Sequence, residues 1–206
     1  IKTENQLSEA TSFHWHGLKL PSDMDGGPHH PVGANEKMQV DFTVNQEAAT
    51  LWFHPHALGT TAEQVYAGLA GLIFVEDDNS DQLDLPKDYG VNDFPLIIQD
   101  RSFDADNQFD YAGAYDPDGT YGDTLLVNGT INPFVEVKNE QIRLRLVNGS
   151  NARNYTFGLE NGAEFHQIAS DGGFLEQPVA LTSVTLTPGE RAEIIVDLSG
   201  YAEGDT

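Results

Sequence analysis

The stretch Phe13-His14-Trp15-His16-Gly17 has an echo at Phe53-His54-Pro55-His56. Alternate side chains of a β-strand project to the same face, so each His-X-His segment places two imidazoles on one side. A single segment of this kind is more often a pair of half-buried strand histidines. Here four of the seven histidines fall in two such segments, and each segment follows a Phe. The pattern predicts two neighbouring strands that share a four-histidine metal site.

The ligand type restricts the metal. Imidazole suits copper, zinc, iron and nickel, whereas calcium and magnesium prefer clusters of oxygen ligands. A structural zinc site usually uses cysteine or a longer His-to-His spacing on a turn and helix, and the chain has no cysteine. The residues therefore favour copper over zinc without deciding between them.

Composition excludes several classes of protein. The 206 residues suffice for one large or two modest domains with a buried core. Ten Lys and Arg against 33 Asp and Glu give a net charge of −23, which disfavours nucleic acid and anionic membranes as partners. The sequence has no apolar run long enough to cross a bilayer and no leader pattern at Ile1, although a leader could have been removed before it.

Several motifs in order give the chain a resemblance to the multicopper oxidases. The resemblance is greatest to the bacterial branch with the copper-efflux (cuprous) oxidase, bilirubin oxidase and spore-coat laccase, and it covers nearly the whole chain. The motifs are His14-Trp15-His16-Gly17, Asp25-Gly26-Gly27-Pro28, Trp52-Phe53-His54-Pro55-His56, Tyr66-Ala67-Gly68-Leu69-Ala70-Gly71, Gly122-Asp123-Thr124-Leu125-Leu126-Val127-Asn128-Gly129, Arg143-Leu144-Arg145-Leu146-Val147-Asn148-Gly149 and Ala169-Ser170-Asp171-Gly172-Gly173.

This resemblance implies an all-β fold of two tandem cupredoxin-like Greek-key β-sandwiches or barrels. Residues 1–78 would form a partial first domain that carries the histidines, 79–93 a linker, and 94–206 a second domain incomplete at its C-terminus. In the family a third domain holds the type 1 copper and the remaining cluster ligands. Type 1 copper needs a Cys thiolate, which this chain lacks, so the chain is expected to be an inactive part of a larger oxidase.

Short apolar-alternating runs between Gly, Pro, Asn and Asp predict strands along the chain. In the run 141–146, Ile142, Leu144 and Leu146 should face the core while Arg143 and Arg145 face water. One or two helical turns are expected within 59–67. The predicted strands are 38–44, 50–56, 70–76, 94–100, 124–127, 134–138, 141–148, 154–160, 164–170, 181–187 and 191–198.

The resemblance also assigns roles to site residues. It implies that His14 binds the type 2 copper and that His16, His54 and His56 bind the type 3 pair of a trinuclear copper cluster. Asp25, nine residues after His16, matches the acidic residue that the family uses as a proton donor in dioxygen reduction. The alternative is that Asp25 only shapes the Asp-Gly-Gly-Pro turn.

The function implied is the oxidation of a small reducing substrate, phenolic or cuprous, coupled to reduction of dioxygen to water, outside the cytoplasm. Two alternatives remain: a non-enzymatic copper-binding or cell-envelope scaffold protein of the cupredoxin type, and a two-domain laccase or nitrite-reductase relative.

Residues outside these motifs have simpler interpretations. Trp15 is expected to pack behind the metal face, and Gly17 to let the chain turn near the site. Adjacent His29 and His30 fit a solvated loop, and His166 fits a strand.

Overall fold

The structure, a computed structural model, describes residues 1–202 and Gly204. The end of the predicted second domain, residues 203, 205 and 206, lies outside the described residues. Within the described part the chain forms sixteen strands and two short helices, which confirms the all-β prediction. The elements are β1 Lys2–Glu4, β2 His14–His16, β3 Lys37–Gln39, β4 Ala49–His54, α1 Thr61–Tyr66, β5 Gly71–Val75, α2 Asp78–Gln82, β6 Asp93–Arg101, β7 Tyr115–Asp116, β8 Gly119–Thr120, β9 Thr124–Val127, β10 Thr130–Ile131, β11 Gln141–Asn148, β12 Tyr155–Phe157, β13 Phe165–Ser170, β14 Gly173–Leu181, β15 Val184–Leu186 and β16 Arg191–Asp197.

A three-stranded antiparallel sheet, which we call the histidine sheet, consists of β2, β4 and β5 in that order. The register of β2 and β4 places His14 opposite His54 and His16 opposite Trp52. Because side chains alternate along each strand, His14, His16 and His54 share one face of this sheet. Short strands β1 and β3 pair separately with each other.

A seven-stranded sheet, the large sheet, has the order β10-β9-β6-β11-β16-β13-β14. The strands β6 and β11 pair in parallel, and the other neighbours are antiparallel. One face of β11 and β16 carries apolar residues that form a core with the β12–β15 pair. The buried members of this core are Phe94, Ile98, Ile142, Leu146, Phe165, Leu186, Ala192, Ile194 and Val196.

The opposite face of the large sheet is also buried, which makes the prediction of a water-facing Arg143 and Arg145 wrong. These arginines are only 5% and 6% exposed. Their face packs against the histidine sheet, where Thr50 of β4 bonds to Arg145 and Phe74 of β5 lies 4.4 Å beneath the Arg145 guanidinium. Arginines that alternate with apolar residues can therefore face a second layer of the same chain when carboxylates are present to pair with them.

Four oppositely charged side chains and one hydroxyl fill that interface, and we call them the ionic cluster: Asp93, Arg143, Arg145, Glu193 and Thr50. Arg145 donates to both carboxylate oxygens of Asp93 at 2.8 and 2.6 Å. Arg143 donates to Glu193 through Nε at 2.8 Å, and Thr50 donates to Glu193 at 2.6 Å. Two positive and two negative charges thus neutralise each other inside the protein.

Other strand predictions differ from the structure in extent. The run 38–44 becomes a strand only over Lys37–Gln39, because β3 pairs with β1 alone and that ladder is three residues long. Beyond β3 the side chains still alternate between buried and exposed positions although no partner strand in the described residues pairs with them: Val40 is buried and Asp41 is exposed. The run 134–138 belongs to no sheet in the described chain, and Phe134 is 89% exposed.

The other predicted strands are present with bounds that shift by up to a few residues, whereas the short strands β1, β7, β8 and β10 have no predicted counterpart. The predicted strands include only the last residue of β14, and the helical turns expected within 59–67 are present as α1. Most of helix α2 lies in the segment predicted as a linker. Asp77 caps this helix through a reciprocal hydrogen-bond pair with Ser80, the arrangement of a capping box. No helix in the described residues has the length and apolar character needed to cross a bilayer.

Candidate metal centre

The pairing of β2 with β4 brings the four predicted histidines together. Ring centroids lie 5.2 Å apart for His14 and His54, 5.0 Å for His14 and His56, and 5.3 Å for His16 and His54. His56 follows the strand, beyond Pro55, and its backbone N–H donates to the hydroxyl of Ser12 at 2.8 Å. That bond ties the end of β4 to the segment before β2, so His56 joins the group although it lies outside the ladder. We call these four side chains the histidine cluster.

Two of the histidines aim ring nitrogens at each other. Nδ1 of His16 lies 3.0 Å from Nε2 of His54. Nδ1 of His54 faces the carbonyl of Pro55 at 2.8 Å, so the neutral ring carries its proton there and leaves a lone pair on Nε2. Two nitrogens bound to one metal at about 2.0 Å in a tetrahedral arrangement would lie roughly 3.3 Å apart. The pair is therefore spaced for a shared metal ion.

The protonation state of this pair also suits a metal. Burial lowers the pKa of His16 to about 4, and the nearby Arg191 cation adds to the effect. Burial likewise lowers the pKa of His54 to about 4, against the bond to Pro55 that favours the charged ring. Both imidazoles are thus neutral at neutral pH, which is the form that binds metal.

His14 completes a set of three converging ligands. One ring nitrogen from each of His14, His16 and His54 lies within 4.8 Å of the others. Nδ1 of His14 faces the backbone carbonyl of Asp25 at 3.1 Å, which leaves Nε2 for a metal. A partner that holds the second ring nitrogen in this way fixes the orientation of a metal-binding histidine.

Asp25 lies beside His14 because its turn packs on β2. Gly26 has φ of +65°, and a Cβ there would overlap the carbonyl oxygen of Phe13, so only glycine fits. The carboxylate Oδ1 of Asp25 lies 3.2 Å from Nδ1 of His14. This oxygen is buried and has no aligned hydrogen bond among the described residues, because Nδ1 points to the backbone carbonyl instead.

Aromatic side chains pack on both sides of the site. Trp15 points away from the metal face, as expected, and is buried with Phe13, Phe42 and Phe53 around it. Trp52, two residues before His54 on the same face, lies 4.3 Å from the His54 ring and 5.3 Å from the His16 ring.

The other histidines lie outside the cluster, in keeping with their predicted positions. His29 and His30 are exposed in a loop, and His166 is an exposed residue of β13. Gly17 adopts φ of +95°, as its predicted turn requires.

Some residues that form the site are absent from the sequence prediction. The alternation of β4 could have indicated Trp52, because residues two apart share a face. Ser12, which holds His56, and Arg191, which is distant from both histidine segments in sequence, have no local signal.

Comparison with known proteins gives a consistent result. Two sequence models, each described as multicopper oxidase, match residues 1–80 and 92–205. A multicopper oxidase mco from Staphylococcus epidermidis is 48% identical over 199 residues, which is 97% of this chain and 44% of that protein. A cell division protein FtsP from Xenorhabdus nematophila is 46% identical over 198 residues, which is 95% of this chain and 41% of that protein.

The fold is similar to that of solved laccases. The crystal structure of a laccase from Pediococcus acidilactici superimposes with a TM-score of 0.96 at 47% identity, covering 99% of this chain and 44% of that one. The all-β fold is thus of the cupredoxin-like kind found in such enzymes. The chain spans less than half the length of the relatives that it matches.

Proposed function

This chain belongs to the multicopper oxidase family, and on that premise we propose that it forms part of a laccase-like or cuprous oxidase. The oxidase would take single electrons from a small phenolic or cuprous substrate and reduce dioxygen to water. The convergence of the His16 and His54 nitrogens, with His14 and His56 around them, carries this proposal.

The donor set fits copper. All four ligands are imidazoles, and the paired nitrogens are spaced for one ion. Half-buried His16 and buried His54 are neutral at neutral pH, so protons do not compete with the metal. Copper bound there would supply the one-electron chemistry that dioxygen reduction needs. We assign His14 to the type 2 site and His16, His54 and His56 to the type 3 pair, in line with the family motif.

Asp25 would supply protons. Reduction of one dioxygen to two waters consumes four electrons and four protons, so a proton donor must lie beside the cluster. The Asp25 carboxylate abuts His14, and its buried Oδ1 has no aligned hydrogen bond among the described residues that would keep it from binding a proton. A carboxyl group placed in this way can act as a general acid.

The remaining parts would come from elsewhere in the oxidase. We propose that residues 1–78 and 94–206 are two cupredoxin-like domains joined by 79–93, and that a third domain supplies the other cluster ligands and the type 1 copper. The absence of cysteine and the short span relative to the relatives support this arrangement. An extracytoplasmic location remains a prediction that cell fractionation would check.

A non-enzymatic scaffold is the second candidate, because one relative is described as a cell division protein. The histidine cluster favours the oxidase, since a scaffold has no need for four converging imidazoles. Oxygen uptake by the complete oxidase with a phenolic or cuprous donor would separate the two functions. Copper binding without oxygen uptake would favour the scaffold.

Copper titration of the 206-residue chain tests the site itself. The wild type should bind copper tightly, and a His16→Ala/His54→Ala variant should lose that binding. A His29→Ala/His30→Ala variant is the matched control, because it removes two histidines from an exposed loop. Equal binding by both variants would show that the metal lies elsewhere and would refute the assignment.

The role of Asp25 has a separate test. In the complete oxidase, Asp25→Asn should slow dioxygen reduction by about 10²- to 10⁴-fold, the usual contribution of a general acid, while copper content stays unchanged. Asp23→Asn, in an exposed position of the same turn, should leave the rate unaltered. An Asp25→Asn enzyme with wild-type rate would leave Asp25 with only the turn-shaping role.

A further inference from the structure

A turn of the large sheet lies against the histidine cluster. It runs from Thr187 to Arg191, just before and into β16, and Glu190 closes it by accepting from the backbone N–H and hydroxyl of Thr187 at 2.6 and 2.9 Å. The backbone N–H of Gly189 donates to the carbonyl of Asn148, and the N–H of Asn148 donates to the carbonyl of Glu190. Asn148 is fully buried at the end of β11, so the turn is fixed to the sheet.

The tip of this turn faces His16 with room for no more than a methyl group between them. Gly189 has φ of +87°, and a Cβ there would lie 3.4 Å from Cε1 and 4.0 Å from Nε2 of His16. The same Cβ would lie 3.9 Å from Cζ2 of Trp52. The Nε2 edge of the His16 ring thus rests near the turn while its Nδ1 edge faces His54.

Arg191, at the end of the turn, holds three segments together. Its Nε donates to the carbonyl of Thr50 in β4 at 3.2 Å. Its Nη1 donates to the carbonyl of Gly189 at 2.9 Å, and its Nη2 donates to the carbonyl of Asp171 at 2.8 Å. The carboxylate of Asp171 lies 3.0 Å from Nη1. The guanidinium is buried, so these acceptors replace water around it.

Arg191 also limits the residue that follows His16. A Cβ on Gly17 would lie 2.9 Å from Nη2 of Arg191 and 2.7 Å from Cδ2 of Leu51. The chain therefore passes Arg191 at close range directly after the ligand. Two residues of this turn therefore lie close to His16. Gly189 lies near the edge of the His16 ring, and Arg191 lies near the backbone that follows His16.

We propose that the turn Thr187–Arg191 is a positioning element for His16, in which Arg191 bonds β4 to the turn beside the ligand and Gly189 bounds the space at the edge of the His16 ring. The histidine sheet provides the ligand His16, and the turn of the large sheet restricts the orientation of the His16 ring and so the direction of its Nδ1. Outer partners of metal ligands typically change metal affinity by about 10- to 100-fold when they are removed. The inference rests on the proposed copper site.

Two substitutions test the element, each with a matched control. Gly189→Ala places a methyl group against the His16 ring, and Gly162→Ala adds the same backbone strain at φ of +70° where nothing lies within 4 Å. Arg191→Met removes the donors beside His16. Arg101→Met is its control: it removes another buried arginine that donates to backbone carbonyls, those of Asp100 and Val65, and that lies outside both clusters.

Copper affinity of the 206-residue chain, measured by chelator competition, and the visible spectrum of bound copper(II) are the readouts. Gly189→Ala and Arg191→Met should weaken binding by about tenfold or more and shift the spectrum, while both controls stay within about threefold of the wild type at full folding. Arg191→Lys, which keeps the charge and part of the donor capacity, should recover part of the affinity.

The outcomes separate this inference from the proposed function. If the two test variants match their controls in copper affinity and in spectrum, the positioning role is overturned and the proposed copper site is not. A wild-type chain that binds no copper would overturn the site on which the role depends. If Arg191→Met does not fold, the comparison of Gly189→Ala with Gly162→Ala decides the question.

Discussion

One face of strand β4 contributes to two polar clusters that differ in kind. At its start Thr50 enters the ionic cluster, and further along the strand His54 enters the histidine cluster. At ~3.3 Å per residue, the two positions lie about 13 Å apart. The ionic cluster pairs two arginines with two carboxylates, so its charges are satisfied within the chain. The histidine cluster gathers four imidazoles and no opposite charge, so its ring nitrogens can converge on a cation from outside the chain. The ionic cluster, in contrast, already contains both the positive and the negative groups that it needs.

The largest change in the free energy of unfolding should come from removing one carboxylate of the ionic cluster. Glu193→Ala would leave Arg143 and Arg145 buried with Asp93 as the one remaining carboxylate of the cluster. An uncompensated buried charge typically costs about 3–5 kcal/mol, and urea unfolding should show this loss in the free energy of unfolding. Glu176→Ala, at an exposed position of β14, should stay within about 0.5 kcal/mol of the wild type. A similar small change for Glu193→Ala would mean that the cluster does not hold the two sheets together.

At the histidine cluster, a substitution should weaken copper binding and leave the free energy of unfolding of the apo chain nearly unchanged. His14→Ala removes a ligand, so copper affinity should fall on the order of 100-fold, which is about 2.7 kcal/mol of binding free energy. The free energy of unfolding without copper should change by less than about 1 kcal/mol, since no charge pair is broken. Calorimetry with copper and urea unfolding of the apo chain measure the two quantities. An unfolding loss as large as that of Glu193→Ala would erase the distinction between the clusters.

The smallest of the three free-energy changes is expected for Thr50, the residue through which β4 contributes to the ionic cluster. Thr50→Val keeps the shape and removes a hydroxyl that donates to Glu193 and accepts from Arg145. Hydrogen bonds to charged groups contribute about 1.5–3 kcal/mol, so unfolding should become easier by roughly that amount. Copper affinity should stay within about twofold, because the Thr50 carbonyl that Arg191 binds is retained. A larger change in copper affinity would show that the Thr50 side chain itself couples the clusters.

The histidine cluster could be predicted from the sequence because its signal is local. Each His-X-His segment lies within three residues. Strand alternation places His14 and His16 on one face, whereas His56 lies beyond the end of β4 and is held by its bond to Ser12. The order of the motifs along the chain then indicates the family and the all-β fold. Asp25 is indicated only by the family resemblance; the structure places its carboxylate beside His14, and its role stays a prediction.

The ionic cluster could not be predicted because its members are far apart in sequence. Arg143 and Arg145 alternate with apolar residues, which is also the pattern of a strand with one face in water. Only the packing of the histidine sheet on that face shows where their partners Asp93 and Glu193 lie. The strand predicted at 38–44 failed for a related reason, since alternation describes burial and a ladder needs a partner strand.

The close packing of Trp52 against the His54 and His16 rings gives the protein an optical probe of its own. Copper(II) quenches the emission of an indole in contact with its ligands, so filling the cluster should darken Trp52, whereas Trp15, on the opposite face of the histidine sheet, would dim less. Occupancy could then be followed in real time, without a dye and with the natural sequence.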